Sequence, residues 1–189
     1  MISNISERED ELAGKTLGIV GMGHIGSRVA RLGKAFDMRV VATKRDTSNY
    51  EGPADEVLAA DQLPDLLAQA DVVVLNCPLT PETQGLIDRE ALATMKSSAL
   101  LINVARGACV DEEALIEALD NNAIAGAGLD TFVGEVPAED CPFWNLENVL
   151  FTLPSARETP AYQANVIEIL MENIARLDRS GAVLRNHII

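Results

Sequence analysis

Three glycines spaced Gly21-x-Gly23-x-x-Gly26 follow directly on an apolar run, Leu17, Ile19 and Val20, and lead into the helical period Ile25, Val29, Leu32 and Phe36. Residues of this type at this spacing can hold a diphosphate. The first glycine permits a sharp turn, the second lets the backbone approach the anion, and the third lets a helix pack closely on a strand. The N–H groups at the helix start, and the positive end of its dipole, then favour negative charge. Glycines alone are a weak signal; the flanking strand and helix raise a dinucleotide site above a simple turn. A second chemical group, Thr43-Lys44-Arg45, lies where a following strand runs out. An NAD site usually places an acid there against the ribose 2′-hydroxyl. Two cations and a hydroxyl suit a 2′-phosphate better, so NADP is favoured over NAD. Asp46, at a similar interval from the glycines, is the competing partner, and a third reading makes Lys44 and Arg45 solvated loop charges.

The elements that must position these groups alternate along the chain. Strands are expected at 16–20, 38–43, 71–76, 99–104, 125–129 and 149–152, the third of them the apolar run Val72-Val73-Val74-Leu75. Helices are expected at 25–36, around Leu58, around Leu66-Leu67, at 88–95 and at 111–119, with 46–53 as loop. Thr159-Pro160 opens a last helix bearing Tyr162, Val166, Ile169, Leu170, Ile174 and Leu177 on one stripe. Such alternation predicts an α/β fold, a doubly wound parallel sheet of the Rossmann type in three layers, α/β/α. Ligands of such sheets lie outside the carboxyl ends of the strands. Residues 1–14 read as a linker helix or arm, 15–160 as the NAD(P)-binding domain, and 161–189 as a C-terminal helix and tail.

With 189 residues, 48% of them hydrophobic, the chain can bury a core. A formal net charge of −14 argues against nucleic acid or an anionic membrane as partner. Only Lys15, Lys34, Lys44 and Lys96 are lysines, against 29 acidic residues, a balance resembling halophilic cytosolic proteins; an ordinary acidic bacterial protein is the other reading. No apolar run approaches a membrane span, and the polar start 1–10 is no signal peptide, so a cytoplasmic location is expected. Cys77, Cys109 and Cys141 are odd in number and lack ligand spacing, which predicts reduced thiols and no metal.

The stretches after the later strands are Asn76-Cys77-Pro78-Leu79-Thr80-Pro81-Glu82-Thr83, Asn103-Val104-Ala105-Arg106-Gly107 and Gly126-Ala127-Gly128-Leu129-Asp130. In order and spacing they resemble the nucleotide-binding domain of the D-isomer-specific 2-hydroxyacid dehydrogenases. The lead-in 11–19 and the ending from Glu172-Asn173 through Gly181 to Arg185-Asn186 resemble that family too. The resemblance implies an oxidoreductase moving hydride between NAD or NADP and a small 2-keto or 2-hydroxy acid. It implies His24 and Ile25 in the phosphate loop, Lys44 or Arg45 at the adenosine ribose, and Cys77, Pro78 and Thr83 lining the cleft. Val104 and Ala105 would pass the nicotinamide ribose, and Asp130 would receive the carboxamide. Arg106 would bind the substrate carboxylate and polarise its carbonyl, and Glu135 would orient a catalytic histidine. Duller roles stand beside these: packing for Cys77, Cys109 and Cys141, a cap for Asp130, a surface acid for Glu135. The resemblance also implies a homodimer, with 161–189 packing back toward a substrate domain.

Two departures follow. The family reads Thr-Pro-His, with a threonine five residues later; here Thr152 and Thr159 keep that spacing and Pro154 takes the histidine position, or Ser155 if Leu153 is an insertion. The two histidines, His24 and His187, fall elsewhere. Loss of a general acid costs roughly two to four orders of magnitude in rate. Moreover, almost nothing precedes Glu11, where most of a substrate domain is expected. The expectation is therefore a cofactor domain with little turnover alone; the alternative is a non-catalytic dinucleotide-binding or dimerisation module.

Overall fold

The computed structural model describes residues 10–134, 141–152, 159–177 and 184–185. It divides into two units, Met1–Leu153 and Pro154–Ile189. In the first unit seven strands form one parallel sheet: β1 (Thr16–Val20), β2 (Arg39–Lys44), β3 (Glu56–Ala59), β4 (Val72–Leu75), β5 (Leu100–Asn103), β6 (Gly126–Leu129) and β7 (Val149–Phe151). Their order is β3-β2-β1-β4-β5-β6-β7, so the winding reverses between β1 and β4. Leu17 pairs with Val40 on one side and with Val72 on the other.

Alternation along the strands sends side chains to two cores. Leu17, Ile19, Val40 and Ala42 meet α1 (His24–Ala35) on one face. Val41, Val73, Leu75 and Leu101 meet α2 (Leu63–Gln69), α3 (Arg89–Thr94) and α4 (Glu112–Asp120) on the other, through Leu66, Leu67, Leu92, Leu115 and Leu119. These are the expected α/β/α layers. The helices start where their sequences allow. The Asp88 carboxylate accepts from Ala91 N–H at 2.9 Å and that of Asp111 from Ala114 N–H at 3.1 Å, each capping its helix.

One expectation is corrected. The stretch around Leu58 is not helical: Glu56–Ala59 pairs with β2 as β3, and a short 3₁₀ turn at Ala60–Gln62 follows. Strand pairing overrides the weak local preference of four residues. Of the lead-in read as a linker helix or arm, the described residues 10–14 include a turn in which Lys15 N–H donates to Leu12 O at 3.1 Å. On α1, the residues packed on the sheet are the small ones, Gly26, Ala30 and Gly33. A Cβ on Gly33 would lie 2.6 Å from Leu17. The apolar period Ile25, Leu32 and Phe36 therefore faces outward, 64%, 62% and 57% exposed.

In the second unit, α5 (Tyr162–Leu177) carries the expected stripe. The Asn173 amide and the Arg185 backbone exchange two hydrogen bonds, at 2.9 and 2.8 Å, which ties the tail to the helix. No described helix is long and apolar enough to cross a membrane.

Candidate functional site

The carboxyl ends of β1, β2 and β4 open into a cleft of about 750 Å3, and Gly21, Thr43, Lys44, Arg45, Cys77, Pro78 and Thr83 are among its walls. Each glycine of the motif meets a different constraint. Gly21 has φ +101°, and a Cβ there would stand 2.9 Å from Cys77 N and 3.0 Å from Asn76 C. A Cβ on Gly26 would collide with the Gly21 carbonyl oxygen. Gly23 is the N-cap of α1 and would place a Cβ in open space. Having no side chain, it offers no cap to the first-turn N–H groups of His24, Ile25 and Gly26, and no acidic residue lies in that turn. That leaves an anion-accepting helix start. His24 and Ile25 are themselves exposed there.

Strand β2 joins this loop through its backbone. The Thr43 carbonyl accepts Gly21 N–H at 3.3 Å and Met22 N–H at 3.0 Å. Beyond it, the Lys44 ammonium donates to Asp46 O at 2.5 Å. The Asp46 carboxylate turns back into its own loop, accepting Ser48 Oγ at 2.5 Å and Ser48 N–H at 2.9 Å. Those two bonds, the hydroxyl's first, hold its carboxyl below the usual carboxylate range.

The loop after β4 forms the opposite wall. Thr83 Oγ1 donates to Pro78 O at 2.6 Å and accepts Thr80 N–H at 2.8 Å, so this hydroxyl fastens the loop. Glu82, on the same loop, lines the cleft, as does Asp61 from the turn after β3. A hydrogen bond from the Thr80 side chain, then one to its own backbone and the charge of Arg45, hold the Glu82 carboxyl low. Cys77 is buried against the core, and burial, then the neighbouring Cys109 thiol, push its pKa up to about 12. It is an un-ionised thiol at neutral pH and serves as apolar wall. Sequence reasoning missed Asp61 and Glu82 as cleft residues, since nothing in their local sequence separates them from solvated acids.

A second group gathers at the ends of β5, β6 and β7. Asn103, 1% exposed, was also missed; its signal is one amide closing the apolar strand Leu100–Asn103. Asn103 Oδ1 accepts Ala105 N–H and Asn103 Nδ2 donates to Arg106 O, both at 3.0 Å, fixing the Val104-Ala105-Arg106 turn. The exposed Arg106 donates from Nη1 to Ala105 O at 2.7 Å. Gly107 N–H bonds Thr131 Oγ1 at 3.0 Å, and Thr152 Oγ1 donates to Asp130 Oδ1 at 2.5 Å. Val133 N–H is held by Glu112 at 2.6 Å. Glu135 and Pro154 lie outside the described residues.

A parallel sheet reversing its winding beside a glycine turn, with a cleft at the carboxyl ends, defines a dinucleotide-binding α/β domain. Comparison with known proteins narrows this. Residues 3–153 match the family model "D-isomer specific 2-hydroxyacid dehydrogenase, NAD binding domain". A glyoxylate reductase of Pyrococcus furiosus is 40% identical over 171 residues, 89% of this chain and 50% of that protein. Among solved structures, a D-isomer specific 2-hydroxyacid dehydrogenase from Xanthobacter autotrophicus in complex with NADPH superposes with TM-score 0.82 and 35% identity, covering 93% of this chain and 71% of that one. A D-lactate dehydrogenase from Lactobacillus jensenii with NAD+ gives TM-score 0.78 and 34% identity, covering 97% and 59%.

The chain belongs to the D-isomer specific 2-hydroxyacid dehydrogenases and carries their NAD-binding domain. It spans half or less of the length of such curated relatives. A nicotinamide dinucleotide fits the residues present: the Gly23 cradle is open where a Cβ would project, and the cleft is continuous with it at Gly21.

Proposed function

We propose that this chain is the cofactor half of a cytoplasmic, NADP-preferring oxidoreductase acting on a small 2-keto or 2-hydroxy acid. The observation that carries the NADP preference is the conformation of Asp46. The acid that could have served a ribose 2′-hydroxyl is spent on Ser48, while Lys44 and Arg45 line the cleft. In this reading Gly21, Gly23 and Gly26, with the backbone of His24 and Ile25, hold the diphosphate. Thr43, Lys44 and Arg45 hold the 2′-phosphate end. Cys77, Pro78 and Thr83 shape the wall. Val104 and Ala105 flank the nicotinamide ribose, and Asp130, oriented by the Thr152 hydroxyl, receives the carboxamide. The bound cofactor supplies hydride transfer. Arg106 binds the substrate carboxylate, with its backbone fixed by Asn103. Glu135 is the acid that would charge a proton donor.

Pro154 at the histidine position favours a second reading, a dinucleotide-binding module without catalysis. In either reading the exposed stripe of α1 supports a homodimer. Calorimetric titration with NADPH and NADH, in low and high salt, tests the first reading. Micromolar binding with NADPH tighter is expected; tighter NADH overturns the preference, and binding of neither overturns the site. Steady-state assays with glyoxylate, pyruvate and hydroxypyruvate are expected to show negligible turnover by this chain. Restoring histidine by Pro154→His in a protein carrying a substrate domain separates the two readings, since a gain of turnover supports the enzyme.

A further inference from the structure

We propose that Glu82 is a specificity-determining residue: its carboxylate offsets the positive charge that Arg45 presents to a ribose 2′-phosphate in the same cleft, restraining NADPH affinity while leaving NADH affinity unchanged. This rests on the nucleotide reading above and goes beyond it, because the restraint comes from the wall opposite β2.

Four charged side chains line the cleft, Lys44 and Arg45 from the end of β2, Asp61 after β3, and Glu82 after β4. Formally they cancel. A 2′-phosphate, at about −1.5 to −2 charge, thus enters a neutral mouth instead of a dicationic one. A 2′-hydroxyl carries no charge and is indifferent to the difference. Within the group the partners are unequal. Lys44 is occupied by the Asp46 carbonyl at 2.5 Å. Arg45 is the cation whose charge reaches Glu82, and Glu82 stays ionised at neutral pH.

Glu82 is also held in place. Its loop is closed by Thr83 Oγ1 to Pro78 O at 2.6 Å, Thr80 N–H to Thr83 Oγ1 at 2.8 Å and Gln84 N–H to Thr80 O at 3.0 Å. Glu82 thus stands on a fastened loop, on the wall of the cleft that Arg45 also lines. A 2′-phosphate drawn to Arg45 therefore enters against the fixed negative charge of Glu82 in the same cleft. Arginine holds phosphate through a planar fork, and a carboxylate in the same cleft lowers the net attraction that fork offers an anion.

The test is calorimetric titration of the whole chain and its Glu82→Gln variant with NADPH and NADH. Glutamine keeps an acceptor for Thr80 and removes only the charge. NADPH is expected to bind Glu82→Gln about threefold to tenfold more tightly, as for one partly screened charge pair. NADH is expected to stay within about twofold, and the NADPH gain to shrink in high salt. Glu113→Gln, on the exposed first turn of α4, removes the same charge outside the cleft and is expected to change neither affinity. Unchanged NADPH affinity in Glu82→Gln, equal tightening of both cofactors, or the same gain in Glu113→Gln overturns the proposal. Binding of neither cofactor by the unsubstituted chain overturns the nucleotide reading itself, and this proposal with it.

Discussion

Two alanine substitutions, two residues apart, separate the architecture of the glycine loop from its chemistry. At Gly21 the backbone is left-handed, φ +101°, and a Cβ would stand 2.9–3.0 Å from three backbone atoms of Asn76 and Cys77. The left-handed conformation costs an L-residue about 1–2 kcal/mol. Prying the β1 turn from the end of β4 adds an overpacking cost of about 1–3 kcal/mol. Gly21→Ala should therefore lose about 2–5 kcal/mol, a large share of the 5–15 kcal/mol by which a domain is typically stable. At Gly23 the backbone is extended, φ −104°, and a Cβ meets nothing within 4 Å. Gly23→Ala should cost no more than about 1 kcal/mol, the scale of a changed N-cap. Its methyl would project where a diphosphate must approach the helix start, so NADPH affinity should fall at least about tenfold, or 1.4 kcal/mol. Urea denaturation followed by circular dichroism, beside calorimetric titration, reads both quantities. If Gly23→Ala binds NADPH like the unsubstituted chain, the anion does not sit at the start of α1 and the reasoning fails.

Removing the buried amide in Asn103→Ala leaves the Ala105 N–H without its side-chain acceptor and should cost about 2–4 kcal/mol in urea denaturation; a loss under 0.5 kcal/mol would mean the turn is held elsewhere. Asp71 accepts Thr16 N–H at 2.8 Å and pairs with Lys96 at 2.7 Å. Burial, the largest single influence, raises its pKa, but the Lys96 and Thr16 bonds together bring it below the ordinary value. A carboxyl depressed in the folded state contributes stability above its unfolded pKa, and that contribution is lost as pH falls through the folded one. Stability should thus decline below about pH 4, and Asp71→Asn should flatten that decline in denaturation series at stepped pH. Leu32→Asp with Phe36→Asp, at the outward-facing apolar positions along α1 and its C-cap, should convert a dimer to a monomer in sedimentation while the folded circular dichroism is retained; a monomer before substitution refutes the dimer.

What was legible in the sequence followed from short-range pattern. The β1–glycine–α1 unit and the Val72–Leu75 strand each declare themselves within ten residues, and the sheet follows from their alternation. The Glu56–Ala59 strand did not, because four residues without alternation become a strand only by pairing with β2. The α1 stripe shows a different limit. An apolar period marks a buried face only when the helix must reach its neighbour with large side chains, and here Gly26, Ala30 and Gly33 bring the backbone itself against the sheet. Among cleft residues, Lys44 and Arg45 could be found because they stand where β2 runs out, whereas Asp61 and Glu82 reach the cleft from two other connections. Asn103 is an unremarkable amide until its two bonds to the Arg106 turn are seen.

The double acceptance by the Thr43 carbonyl has a consequence for how such a domain changes over evolutionary time. Gly21 and Met22 are tied to β2 through main-chain atoms alone, so the tie is indifferent to which side chains stand at 43, 44 and 45. On the proposed assignment, substitutions there would exchange one nucleotide for another without disturbing the loop proposed to hold their shared part. Under that assignment cofactor choice would be a replaceable cassette mounted on a main-chain hinge, open to revision one codon at a time.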